Sequence, residues 1–160
     1  MKKIIRFLVC MVLCAVFTLS LPLGVLADEN PQDSGAKLMA ITFDDGPGDY
    51  TLDLLDALAQ RGVKATFFIT GSRVSAYPGV LDAIVAGGHQ LANHTHNHKN
   101  LNTLTAEQVS KEVNATRDLL VAAGGEQTYY VRAPYGNANN TVKSAVDAPL
   151  IYWSVDPEDW

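Results

Sequence analysis

Residues 37–47 read KLMAITFDDGP. The first six, KLMAIT, make a short, mostly apolar run of the kind that fills a buried strand. The run ends abruptly in Asp44, Asp45, Gly46 and Pro47. Adjacent carboxylates repel, and burying both is costly unless a cation or a proton resolves the repulsion. With a divalent cation beside one of them, the other is free to act as a general base. An Asx-type turn holding both carboxylates in water is the plain alternative. The stretch predicts a strand that carries polar chemistry at its C-terminal end.

The same arrangement recurs downstream. Residues 50–61 place Leu52, Leu54, Leu55 and Leu58 at helical spacing and stop at Gly62. Residues 63–70 (VKATFFIT) are β-branched and aromatic, a second strand. A helix over 80–85 ends at Gly87-Gly88, and 90–93 begins a third strand or its exit loop. Residues 105–123 predict the clearest helix, with Thr105 and Gln108 in a capping-box pattern and Val113, Leu119 and Leu120 in one stripe. Residues 128–132 (TYYVR) read as a fourth strand, 142–146 as a short helix and 150–155 (LIYWSV) as a fifth strand. Strand alternating with helix predicts a parallel α/β sheet or barrel. Polar groups follow the strand ends: Asp44-Asp45, then the histidines, then 132–135, then Asp156 and Asp159. In parallel α/β folds those ends face one way, and sites are built there.

All four histidines of the chain, His89, His94, His96 and His98, fall within ten residues. If the loop opens a helical turn, His94 and His98 share a face with Cβ atoms about 5–6 Å apart. If it is extended, His94, His96 and His98 all share one face. Two imidazoles and a carboxylate make a common three-ligand zinc site with a position left open. A solvated polar loop is the alternative.

The chain has 160 residues and a formal net charge of −5, with 48% hydrophobic residues. That suffices for one domain with its own core. Nothing resembles a basic stripe, so nucleic acid is not an expected partner. Lys2, Lys3 and Arg6 precede an apolar run over 7–25, and VLA at 25–27 supplies small residues for cleavage after Ala27. The expectation is a signal peptide over 1–27, with an uncleaved anchor as the alternative, then a polar linker over 28–36. The protein is expected to be secreted or held in the cell envelope. Both cysteines, Cys10 and Cys14, lie in the leader. The exported part has no disulfide, and any metal there is left to His, Asp and Glu.

TFDDGP at 42–47, HTHNH at 94–98, RAPYG at 132–136 and DPEDW at 156–160 resemble, in that order, the polysaccharide deacetylase family. These are the NodB-like carbohydrate esterases, which remove acetyl groups from N-acetylated sugars and some acetylated polysaccharides. The resemblance covers residues 37–160 and implies an α/β fold, an irregular (β/α) barrel of seven or eight strands. It implies that Asp44 is the catalytic base and that Asp45, His94 and His98 hold one divalent metal ion. Zinc suits that set, and cobalt, nickel or manganese remain open. Thr95 falls on the family's Ser/Thr position and shapes the loop, while His96, Asn97 and His89 are not implied ligands. Arg132 matches an arginine that pairs with the base. Pro134 and Tyr135 match the groove wall, and the Tyr135 N–H matches an oxyanion donor. Asp159 and Trp160 match an Asp-Trp pair, with Trp160 lining the acetyl pocket and Asp159 polarising an acid histidine.

That acid histidine belongs to a later Leu-x-His motif with no counterpart in this sequence, and five strands fall short of the family barrel. The expectation is therefore a C-terminally incomplete domain over 37–160, truncated after about five strands, with its activity open. The implied reaction is metal-dependent hydrolysis of N-acetyl groups on N-acetylglucosamine-containing polysaccharide, either peptidoglycan or chito-oligosaccharide. No stable protein partner is expected. The alternatives are a non-catalytic carbohydrate-binding remnant, a xylan O-acetyl esterase, and a phosphoesterase. The last commonly adds a second metal and further basic contacts, and only Arg132 is at hand.

Overall fold

The computed structural model describes residues 37–124 and 129–158. The expected signal peptide and linker, Asp159 and Trp160 lie outside the described residues. Three strands form a parallel sheet in sequence order: β1 (Thr42–Gly46), β2 (Thr66–Ile69) and β3 (Gln90–Asn93). The ladder continues as two single parallel bridges, Asn93 to Val131 and Val131 to Leu150. The expected fourth and fifth strands are reduced to those bridges. Their neighbours Tyr130 and Ile151 still hydrogen-bond across, as Asn93 N–H donates to Tyr130 O and Ile151 N–H to Val131 O.

The first strand is displaced from its expected place. Residues 37–41 lie outside it, with Leu38 and Met39 exposed, and β1 starts at Thr42 and carries both aspartates. Phe43 pairs with Phe67 and Gly46 with Ile69, so three steps along β1 match two along β2. That is a β-bulge over Asp44-Asp45, and a bulge bends the strand and re-aims its side chains. The Gly46-Pro47 peptide is cis.

Helices α1 (Thr51–Gln60), α2 (Val80–Ala86), α3 (Ala106–Ala122) and α4 (Asn140–Ala145) follow the strands. In α1 the buried face is Thr51, Leu55 and Leu58, while Leu52, expected on it, is exposed. In α3 the capping box of Thr105 and Gln108 is present. Its buried stripe is Val109, Glu112, Val113, Thr116 and Leu120, so Leu119 sits off it. Phe67, Ile69 and Leu91 pack with Leu55, Leu58, Ile84 and Leu120 in one core cluster. Val131 and Ala133 pack with Val109, Val113 and Val142 in a second.

Side chains along a strand alternate between faces. With Phe67, Ile69, Leu91 and Val131 turned to the helices, Thr42, Phe68, Ala92 and Arg132 fall on the opposite face. That face holds the polar residues.

Candidate active site

Arg132 stands at the centre of the polar face and is 3% exposed. Such a charge is tolerable inside a protein only with full pairing. Its Nη1 donates to Asp44 Oδ1 at 2.6 Å and to Thr42 Oγ1 at 2.9 Å. Its Nη2 donates to Tyr152 O at 3.2 Å and its Nε to Ile151 O at 3.4 Å. The guanidinium lies 4.0 Å from the centre of the Phe68 ring and 5.7 Å from that of Trp153. Both contacts are cation–π in kind. The Trp153 indole also packs on Gly136, where a Cβ would stand 3.1 Å from it.

Arg132 has a second role through its backbone. Its carbonyl accepts a 2.8 Å hydrogen bond from His94 Nδ1. That bond places the imidazole proton on Nδ1 and turns Nε2, with its lone pair, toward the aspartates. Burial lowers the His94 pKa, against the opposing pull of Asp44, the Arg132 carbonyl and Asp45. Burial thus favours the neutral ring, the form that binds metals.

His94 Nε2 lies 3.5 Å from Asp45 Oδ1, and His98 Nε2 lies 3.1 Å from the same oxygen. One ligand atom from each of Asp45, His94 and His98 falls within 4.8 Å of the others. Donors on a tetrahedral zinc with bonds of about 2.0–2.1 Å stand roughly 3.3 Å apart. The trio therefore fits one divalent ion. Asp44 Oδ2 is 3.9 Å from His94 Nε2, beside the trio.

The loop that makes this cluster is neither a helical turn nor extended. Thr95 (φ 68°) and His98 (φ 52°) adopt left-handed backbone, and so do Asp45 (φ 62°) and Tyr135 (φ 60°). For Thr95, a β-branched residue, this is a strained conformation. It holds because Thr95 N–H donates to Asn93 Oδ1 and Thr95 O accepts from Gly71 N–H. The kinks turn His98 back onto His94, ring centres 5.0 Å apart, and send His96 elsewhere. His96 Nδ1 points at Gly71, where a Cβ would collide with it and with Thr116 Oγ1. His89 is a core residue: its Nδ1 accepts from Ala65 N–H and its ring meets Phe67 edge-on.

Pro134 is buried, whereas Tyr135 is exposed with its ring 4.9 Å from His98. Asp44, Asp45, His94, His98, Arg132, Pro134 and Tyr135 thus meet at one end of the sheet. Sequence reasoning missed Thr42, Phe68, Trp153 and Glu112. Glu112 had a readable signal, a carboxylate at an apolar-stripe position of α3.

The family model described as Polysaccharide deacetylase matches residues 32–152. The Bacillus subtilis peptidoglycan-N-acetylmuramic acid deacetylase PdaC is 38% identical over 136 residues, 84% of this chain and 29% of that protein. A chitooligosaccharide deacetylase of Sinorhizobium fredii is 37% identical over 132 residues, 79% of this chain and 61% of that one. The solved structure of PdaC from Bacillus subtilis matches with a TM-score of 0.74 at 38% identity, over 78% of this chain and 62% of the other. The chain spans less than a third of the whole PdaC protein. The order of its motifs, the geometry they form and these matches agree: this chain belongs to the polysaccharide deacetylase family.

Proposed function

We propose that the protein hydrolyses N-acetyl groups from N-acetylglucosamine-containing glycans, with peptidoglycan or chito-oligosaccharide as substrate. The observation that carries this reading is the carboxylate of Asp44, held by Arg132, beside a three-residue cluster that fits a divalent ion. The named relatives act on those two classes of glycan. The three strands and two bridges, parallel and in sequence order, are read as one arc of a (β/α) barrel.

Asp45, His94 and His98 would hold the ion, and zinc suits two imidazoles and a carboxylate. Bound there, it supplies Lewis-acid polarisation of the acetyl carbonyl and a lowered water pKa. Asp44 accepts the proton of the attacking water, and Arg132 keeps its Oδ1 fixed so that Oδ2 faces the reacting centre. The family resemblance assigns the Tyr135 N–H, in a residue of left-handed backbone, as a donor to the developing oxyanion. The exposed rings of Tyr135, Tyr152 and Trp153 provide apolar faces for a sugar. As the C–N bond breaks, the departing nitrogen takes up the proton that Asp44 accepted, and the products are acetate and the free amino sugar.

The test is acetate release from N-acetylated chito-oligosaccharide and from peptidoglycan, with zinc supplied. Release that falls by a factor of about 10²–10⁴ in Asp44→Asn supports the assignment. Release unaffected by that change, or none from either glycan, rejects it.

A further inference from the structure

Along α3 the buried stripe of Val109, Val113, Thr116 and Leu120 is interrupted by Glu112, which is 6% exposed. A carboxylate buried to that degree needs several donors. Among the described residues, its donors all come from one short segment of the histidine loop. Asn97 N–H donates to Oε2 at 2.7 Å, Asn97 Nδ2 to Oε1 at 2.9 Å, and Lys99 Nζ stands 3.0 Å from Oε1. Burial raises the Glu112 pKa, but the bonds from Asn97 and the Lys99 ammonium outweigh it and hold the group below the usual range.

The residue between the two braced positions is His98. Upstream, the loop is anchored to other elements. Gly71 N–H and Ser72 N–H donate to Thr95 O and His96 O, and Asn93 Nδ2 donates to Val113 O of α3. Without Glu112 the half of the loop that carries His98 loses its side-chain tie to α3. His98 is the less buried of the two histidines and takes a left-handed backbone that costs of order 1–3 kcal/mol unless its surroundings impose it.

We propose that Glu112 is a positioning residue for the metal centre: by gripping Asn97 and Lys99 on either side of His98, it sets that imidazole against Asp45. The proposal rests on the reading of Asp45, His94 and His98 as metal ligands. It concerns affinity for the ion rather than the hydrolytic step.

The experiment measures the zinc dissociation constant of the full chain by competition with a chromophoric chelator. Wild type, Glu112→Gln, Glu112→Ala, Asn97→Ala and the exposed control Glu107→Gln are compared, with thermal unfolding recorded in excess chelator. Glu112→Gln keeps the volume and one acceptor, so it reports even if the alanine variant fails to fold. The expected result is a weakening of about 10–100-fold for the Glu112 variants, the range found when a group supporting a ligand is removed. Asn97→Ala weakens binding in the same direction, and Glu107→Gln matches wild type. A folded Glu112→Gln that binds zinc as wild type does, with only a lower unfolding midpoint in chelator, makes Glu112 a purely structural group and overturns the proposal. A wild-type chain whose zinc affinity is not abolished by His98→Ala overturns the ligand assignment as well, so the two failures are distinguishable.

Discussion

His96 and His98 lie two residues apart and have unrelated surroundings. His98 Nε2 reaches Asp45, while His96 faces Gly71 and Thr116. Replacing either His94 or His98 by alanine should abolish zinc binding in equilibrium dialysis. His96→Ala should leave it within a few-fold of wild type and lower unfolding free energy by about 1 kcal/mol. Equal losses of zinc from all three would contradict the geometry. Spacing alone left this choice open, because an extended loop puts the three histidines on one face and a helical one pairs only the outer two. The pair emerges for a reason that neither local model contains, namely left-handed kinks at Thr95 and His98. Those kinks are imposed by Asn93, Gly71 and Glu112, from elements on both sides of the loop. By contrast, the Asp44–Arg132 pair was legible through the family resemblance, in which the arginine of the RAPYG stretch pairs with the first aspartate of TFDDGP.

At the scale of elements, what could be read depended on how local the determinants are. The α3 helix carries its own start signal, and the Thr105–Gln108 box forms where expected. The strands answer to partners far along the chain, so 128–132 and 150–155 look like strands yet contribute a single bridging residue each, Val131 and Leu150. The β1 bulge was invisible for the same reason, since register is a property of two strands rather than one. The contact of the 71–76 turn with the histidine loop offers a test at this scale. Gly71 packs so closely on Thr116 and His96 that a methyl group there has no room. Gly71→Ala should destabilise the fold by about 1–3 kcal/mol in urea unfolding, as overpacked sites do. A neutral result would show that the turn and α3 separate more easily than their packing implies.

At the scale of the molecule, the three proposed ligands come from two strand ends brought together by the sheet, so ion binding there would be linked to folding. Zinc at about 100 times its dissociation constant should add about 2.7 kcal/mol to the stability of the folded chain. That corresponds to a rise in Tm of roughly 5–10 °C. Excess chelator should reverse it, and His98→Ala should remove it. A midpoint indifferent to zinc in the wild-type chain would argue against the ligand trio. Arg132 joins these scales, and its two attachments differ in how mutation reaches them. The guanidinium that steadies Asp44 disappears with any change of side chain, whereas the carbonyl that orients His94 is supplied by whatever amino acid stands there. A single codon change at 132 would therefore release the proposed base and spare the bond that orients His94, whereas at this position the reverse outcome requires moving the main chain.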